Sequence, residues 1–298
     1  MLRIGTRRSR LAMVQAEHTQ DLLRLQGVDA DIVPMTTTGD EGAPAGTSAQ
    51  GLKGLWIDTI LDALRDGRID VAVHSAKDMP AEDDEGLVIG AVPQRADPHD
   101  LLVLRAEGRL TAGMVVGTSS LRRKAQLLAG YPGIGVADLR GNVETRLRKL
   151  ADGDVDAAVL AAAGLARLGI EPPHATPLGL DVMIPAPGQG CLAIQCRADD
   201  REVAAVLTVL DHRPSRMALD AERALMRRIG GGCALPLGAI GAIRGDVLRL
   251  VAVVASTDGV RVVKAAAESE DPQRAADLVA EQLLAGGADR ILAEVRSA

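Results

Sequence analysis

The chain has 298 residues, 47% of them apolar, which is enough for a sizeable core and suggests two or three domains at roughly 150 residues each. With no Phe, one Trp and one Tyr, the interior has to be filled by Leu, Val, Ile and Ala, and few aromatics remain for stacking on bases. A formal net charge of −6 argues against nonspecific nucleic-acid binding, and no run approaches the roughly 18 uninterrupted apolar residues of a membrane helix.

Leu2 to Gly5 reads as a strand entered at once, without an apolar leader, which points to a cytoplasmic protein. Thr6-Arg7-Arg8-Ser9 follows as a loop, and Ser9 can cap a helix from about Arg10. The stretch 38–54 is too rich in Gly, Ala and Ser to pack and leads into Lys53, as a lid or an insertion. Thr59 to Val73 then spells TxLxxLxDGxIDxAV, and Thr145 to Val159 repeats it with Val155 for Ile69. Leucines three apart carry a helix, Asp-Gly ends it, and a buried strand follows. Met114 to Gly117 repeats the opening strand, with Thr118-Ser119-Ser120 as its loop and Arg122 and Arg123 at the next helix start. Hydroxyls, free amides and arginines at helix N-termini favour bound anions.

The alternation of strands and helices to about residue 190 predicts an α/β fold of two doubly wound parallel lobes with ligand at the carboxyl ends of the strands. Ala91 to Pro98 and Ile184 to Gly190 are the expected crossings between lobes. Beyond residue 214, Ala239–Arg244, Val247–Ser256 and Val260–Ser269 read as an antiparallel meander, and a helix runs from Asp271-Pro272 to Gly286-Gly287. The expected units are 1–93 with 191–209, then 98–186, then a small α+β unit over 214–298.

The repeated scaffold differs in chemistry at one place. After the first copy comes His74-Ser75-Ala76-Lys77-Asp78-Met79-Pro80; after the second comes Leu160-Ala161-Ala162-Ala163-Gly164. Asp78 stands on a stiff turn at a strand end, either as a functional carboxylate or as a surface partner of Lys77. Only five of the 34 basic residues are lysine. Arg7, Arg8, Arg122, Arg123, Arg140, Arg146 and Arg167 lie near strand ends and helix starts, where their forked guanidiniums could converge on a small polyanion or simply be solvated. Cys233 lies in a Gly230-Gly231-Gly232 loop that would let groups approach its sulfur, as a nucleophile, a covalent anchor or a small apolar residue. Cys191 and Cys196 fall in a strand-like run, and an odd cysteine count without CxxC fits a reducing compartment. Gly188-Gln189-Gly190-Cys191-Leu192-Ala193 matches GxGxxA without the helix and acidic residue a dinucleotide site needs. The five histidines have no ligand spacing, so no metal is expected.

Nine motifs in order give the chain a resemblance to the porphobilinogen deaminase (hydroxymethylbilane synthase) family over essentially its whole length. They are RIGTRRSRLA from Arg3, TTTGD from Thr36, KGLW from Lys53, AVHSAKDMP from Ala72, VGTSSLRR from Val116, LRGNVETRL from Leu139, AAAGLARL from Ala161, PGQGCLAIQCR from Pro187 and GGCALPLG from Gly231. The resemblance implies periplasmic-binding-protein-like lobes and a third domain that carries a dipyrromethane cofactor as a thioether on Cys233. It implies a transferase that joins four porphobilinogen units head to tail, each losing ammonia, and releases hydroxymethylbilane for haem synthesis. By the same resemblance Asp78 is catalytic. Ser75, Lys77, Thr118, Ser120, Arg122, Arg123, Arg140 and Arg146 hold the cofactor, and Arg7, Ser9, Gln15, Lys53, Trp56 and Arg167 meet the substrate. A monomer with porphobilinogen as its small-molecule partner, and neither nucleic acid nor membrane, is expected.

Trp56 replaces the family's usual Phe, Asp58-Thr59 replaces its Lys-Glu pair, and Arg10 stands where proline is common. A two-lobed protein that only captures an anion would explain the arginines and the duplication, but neither the cysteine loop nor Asp78.

Overall fold

The computed structural model describes residues 1–36, 58–230 and 235–297. The expected lid 38–54 with Lys53, together with Trp56 and Cys233, lies outside the described residues. Strand β1 (Leu2–Arg7) leads to helix α1 (Arg10–Leu25), β2 (Ala30–Met35), α2 (described over 58–65), β3 (Val71–Ser75) and β4 (Leu87–Ala91). Ser9 caps α1 as its position predicts, its hydroxyl accepting from the Ala12 amide at 3.4 Å. The chain crosses into β5 (Asp100–Leu104), β6 (Val115–Gly117), α3 (Leu121–Gly130), β7 (Gly135–Ala137), α4 (Val143–Asp152), β8 (Ala157–Ala161), α5 (Ala162–Arg167) and β9 (Ala175–Pro177). It returns through β10 (Leu192–Arg197) and α6 (Arg201–Thr208).

The two five-stranded sheets have corresponding orders, β2-β1-β3-β10-β4 and β7-β6-β8-β5-β9. They are mixed, whereas the alternation predicts parallel sheets. β1 pairs in parallel with β2 and β3, and β6 with β7 and β8, but β10 and β5 run against their neighbours. The cause is the chain path: each reversed strand is the one that arrives from the other lobe. Leu192 opposite Ser75, and Asp100 opposite Ala161, show that each arriving strand starts at the carboxyl end of its parallel-wound neighbour. Two lobes of corresponding topology joined by two crossings match the two-lobed organisation that the resemblance implies.

The repeated phrase has a local structural meaning. Gly67 and Gly153 follow their helices at φ of 68° and 88°, a conformation that costs glycine little. Asp70 and Asp156 then accept the backbone amides of Arg3 and Val115, each at 2.9 Å, and so fix β3 against β1 and β8 against β6. The interior is aliphatic as composition requires. Ile4, Val71, Val73 and Ile194 pack on α1 and α6, while Ile69 and Ala72 pack on Ile60 and Leu64 of α2.

A third unit comprises α7 (Arg213–Arg228), the antiparallel sheet β11 (Leu237–Arg244), β12 (Val247–Ala255) and β13 (Val262–Ser269), then α8 (Pro272–Ala285) and α9 (Ala288–Ser297). Asp271 caps α8, accepting from the Gln273 amide at 2.9 Å. The helix stops at Gly286-Gly287 as expected, and Gly287, at φ 89°, redirects the chain into α9, whose Ile291 and Leu292 join the core. Glu222 of α7 ties this unit to both crossings. Fully buried, it accepts from Arg95 Nη1 at 2.6 Å and Nη2 at 3.2 Å, from the Gly188 amide, and from the Gly241 amide at 2.8 Å. Glu222→Ala should lower stability by about 3–5 kcal/mol, because Arg95 would remain buried without its counter-charge. A urea midpoint within error of the unaltered protein would refute that role.

Candidate active site

Strand β3 ends at Ser75, and one 3-10 turn, Ala76–Asp78, follows, closed by the Met79 amide on the Ala76 carbonyl at 3.2 Å. Pro80 supplies no amide to prolong it. The third unit holds the turn from beyond: Arg223 Nη1 donates to Pro80 O at 2.7 Å and Arg227 Nη1 to Ala81 O at 2.9 Å. Asp78 is thereby carried on a short segment fixed at both ends. It opens on a pocket whose lining includes Arg7, Ser9, Gln15, His74 and Ser75, at the carboxyl ends of β1 and β3. Gln15 Nε2 donates to Ser75 Oγ at 2.8 Å, which docks α1 on that edge. Burial pushes the His74 imidazole down to about 4, against weaker support from Gln195 and Asp78, so it is neutral at neutral pH.

The facing wall comes from the second lobe. Ser120 caps α3, accepting from the Arg123 amide at 3.4 Å, and Thr118 Oγ1 accepts from the Ser120 amide at 3.2 Å. Arg122 and Arg123 are buried and turn toward Asp100, the first residue of β5. Arg122 Nη1 donates to Asp100 Oδ2 at 2.7 Å, while Arg123 donates to Oδ1 from Nη2 at 2.7 Å and Nε at 3.2 Å. Burial alone would raise the Asp100 carboxyl, but the two guanidiniums outweigh it and hold the group well below the usual carboxylate range. Gln189, on the returning crossing, donates Nε2 to Asp100 Oδ1 at 2.9 Å and to Pro98 O at 2.7 Å. Its Oε1 faces Lys77 Nζ at 3.5 Å. Burial brings the Lys77 ammonium down to about 8; Asp78 and Asp100 support its charge, and Arg123 and Arg122 oppose it.

Arg146 of α4 is partly buried and feels Arg123, Asp78 and Asp138. Its Nε, like that of Arg122, is buried without a hydrogen-bond partner among the described residues. Among the described residues, the cations Lys77, Arg122, Arg123 and Arg146 face the carboxylates of Asp78 and Asp100, and Arg146 shares Asp138 with Arg140. That excess of buried positive charge suits a ligand bearing more than one carboxylate.

The structure therefore brings Arg7, Ser9, Gln15, Ser75 and Asp78 to one pocket. It sets Lys77 and Arg146 beside Asp78 and Arg122 and Arg123 on Asp100, with Thr118 and Ser120 at the second lobe's edge. Arg140 is exposed and donates Nε to Asp138 Oδ2 at 2.7 Å, the carboxylate that Arg146 also feels. Arg167 donates Nη2 to Gly190 O at 2.8 Å on the returning crossing. Asp100 and Gln189 are absent from the sequence expectations. Asp100 belongs to no motif and precedes the apolar run Leu101-Leu102-Val103-Leu104, and Gln189 lies in a motif that fails as a dinucleotide site. Burial pushes the Cys191 thiol up to about 12 and raises Cys196, which leaves both unreactive at neutral pH. No cluster of metal-ligating side chains occurs among the described residues.

A family model described as the porphobilinogen deaminase dipyrromethane cofactor binding domain matches residues 2–205, and a second, described as the porphobilinogen deaminase C-terminal domain, matches 217–285. A porphobilinogen deaminase of Brevibacillus brevis is 45% identical over 300 residues, spanning 98% of this chain and 97% of that protein. One from Desulforudis audaxviator is 46% identical over 301 residues, spanning 99% and 97%. A solved periplasmic substrate-binding protein of an ABC transporter from Coxiella burnetii is similar at a TM-score of 0.42 and 18% identity, over 70% of this chain and 92% of that one. With both lobes and the third unit matched in sequence to the same enzymes, the chain belongs to the porphobilinogen deaminase family.

Proposed function

We propose that this enzyme joins four porphobilinogen units head to tail on a dipyrromethane primer held as a thioether by Cys233, and releases hydroxymethylbilane by hydrolysis. The observation that carries the reading is the placement of a fixed carboxylate, Asp78, beside a cluster of buried, under-compensated cations. Residues 1–93 with 191–209 form the catalytic lobe, 98–186 the arginine-rich lobe and 214–298 the cofactor-cysteine domain. The cation excess and the orphaned Nε atoms of Arg122 and Arg146 fit a primer with acidic side chains. When bound, that group supplies a nucleophilic pyrrole carbon to which porphobilinogen adds.

The roles of the chain's own residues follow from charge. Ammonia departs from the porphobilinogen aminomethyl group with the electron pair of the C–N bond and leaves a delocalised azafulvene cation. Asp78, held on its turn, stabilises that cation and contacts the pyrrole NH. A preorganised charge of this kind is worth about 10²–10³ in rate. Arg122, Arg123, Arg146, Lys77, Ser75, Thr118 and Ser120 hold the primer, Arg140 joins them from the rim, and Lys77, beside Asp78, also meets the carboxylates of the incoming porphobilinogen. Arg7, Ser9, Gln15 and Arg167, with Lys53 and Trp56, receive porphobilinogen. The enzyme acts as a cytoplasmic monomer.

Cys233→Ser should yield folded protein whose intact mass equals that of the bare polypeptide, because a hydroxyl is a far weaker nucleophile than a thiolate. Cys191→Ser and Cys196→Ser should retain the added mass. Full loading of Cys233→Ser protein would overturn the anchor.

Lys77 also predicts a pH dependence. Its ammonium is charged below about 8 and is lost above it, so ligand carboxylates lose a partner as pH rises. KM for porphobilinogen should climb between about pH 7.5 and 9.5, and in Lys77→Arg protein, whose guanidinium stays charged, the climb should vanish. An identical climb in that variant would remove Lys77 from ligand binding.

A further inference from the structure

We infer that Asp100 is a positioning residue for the carboxylate site: it fixes the Arg122 and Arg123 guanidiniums and, through Gln189, sets the Lys77 ammonium of the opposite lobe against them. The inference rests on the carboxylate-site reading above.

Three geometric facts support it. Asp100 is fully buried, and its two oxygens divide their work: Oδ2 takes Arg122 Nη1 at 2.7 Å, while Oδ1 takes Arg123 Nη2 at 2.7 Å and Gln189 Nε2 at 2.9 Å. One carboxylate thus serves two guanidiniums. It orients both and cancels the charge of only one, so the pair keeps a net attraction for an incoming carboxylate. Arg122 Nη1 is shared with Ile184 O at 2.8 Å, and the other end of the Arg123 guanidinium, Nη1, donates to Val159 O at 2.8 Å, so that among the described residues Asp100 is the charged support of both.

The second fact is the bridge between lobes. Gln189 donates one amide hydrogen to Pro98 O at 2.7 Å and another to Asp100, and presents Oε1 to Lys77 Nζ at 3.5 Å. A primary amide is suited to this place because it donates toward a carboxylate and accepts from an ammonium with one planar group. The third is the close approach that seats it. Gly188 has φ 74°, and a Cβ there would lie 2.9 Å from the Lys77 amide nitrogen; a Cβ on Gly190, at φ 88°, would lie 2.5 Å from Ala96 O. Glycines on either side of Gln189 therefore bring the returning crossing against both the acidic turn and the outgoing crossing. The charged groups around Lys77 are Asp78 on its own turn and Arg122, Arg123 and Asp100 across the cleft. Loss of the Asp100 charge, or of the amide that accepts from Lys77, makes the ammonium harder to keep.

The test compares Asp100→Asn and Gln189→Leu, each purified after expression under conditions that load the unaltered enzyme. Cofactor loading is read by intact mass, folding by circular dichroism, and KM for porphobilinogen is followed against pH. Both variants should fold and load at least about threefold less, and the pH at which KM begins to climb should fall by about half a unit or more in the loaded fraction. Full loading with an unmoved pH limb in either folded variant overturns the proposal. Should Asp100→Asn fail to fold with two guanidiniums left uncompensated, Gln189→Leu decides, since it leaves those ion pairs in place. Arg146→Leu separates this proposal from the reading beneath it. If Arg146→Leu also loads fully, the carboxylate site itself is misassigned; if it alone loses loading, only the positioning role falls.

Discussion

The buried carboxylate of Glu222 satisfies the constraint on which this architecture depends. A chain that visits one lobe, fills a second and returns to the first must pass through the interior twice in segments that are not part of either sheet. Those segments carry amides and carbonyls that cannot be left unpaired. Glu222 accepts from Arg95 on one crossing and from the Gly188 amide on the other, and reaches the Gly241 amide of the third unit. Arg95 in turn donates Nε to Gln189 O at 2.8 Å, and the Ala96 amide bonds to Gly190 O at 3.2 Å. The crossings are thereby locked to each other and to α7, which sets the carboxyl ends of β3 and β8 near one another. The third unit also reaches the acidic turn directly, through Arg223 and Arg227. Without that frame neither Asp78 nor the arginines would have a fixed position to act from.

Much of this is legible in the sequence where the physics is local. Ser9 and Asp271 are caps because their hydroxyl and carboxylate sit one residue before a helical run. The repeated Asp-Gly reads as a helix stop, and glycine with positive φ follows both helices. What local patterns miss is set by chain path. Apolar runs such as Leu101–Leu104 and Leu192–Ile194 look the same in parallel and antiparallel neighbours, so the reversal of β5 and β10 follows only once the crossings are known. Asp70 and Asp156 belong to the visible repeat, but their task of fixing a neighbouring strand is a contact across 67 and 41 positions of sequence.

The site divides in the same way. Asp78 stands out because the second copy of the scaffold continues as Ala161-Ala162-Ala163-Gly164 where the first has Ser75-Ala76-Lys77-Asp78. The arginines stand out by type, but type does not distinguish Arg123, buried on Asp100, from Arg140, exposed on Asp138. Their difference is made by Asp100, a residue 22 and 23 positions from its partners that carries no motif of its own. Glycine spacing around Gln189 similarly mimics a phosphate-binding loop, while the glycines serve the contact between crossings. Two lobes built alike have thus diverged in their loops, one toward the fixed carboxylate of Asp78 and the other toward the buried guanidiniums of Arg122 and Arg123.

The central claim is that Asp78 acts by its charge on the cation formed as ammonia leaves. Single-turnover ammonia release from Asp78→Asn and Asp78→Glu holoenzyme, with circular dichroism on the same samples, tests it most directly. A role carried by charge predicts folded protein in both cases, release slowed by about 10²–10³ in Asp78→Asn, and a smaller loss in Asp78→Glu, where the charge is displaced but kept. Near-normal release from well-folded Asp78→Asn enzyme would contradict it.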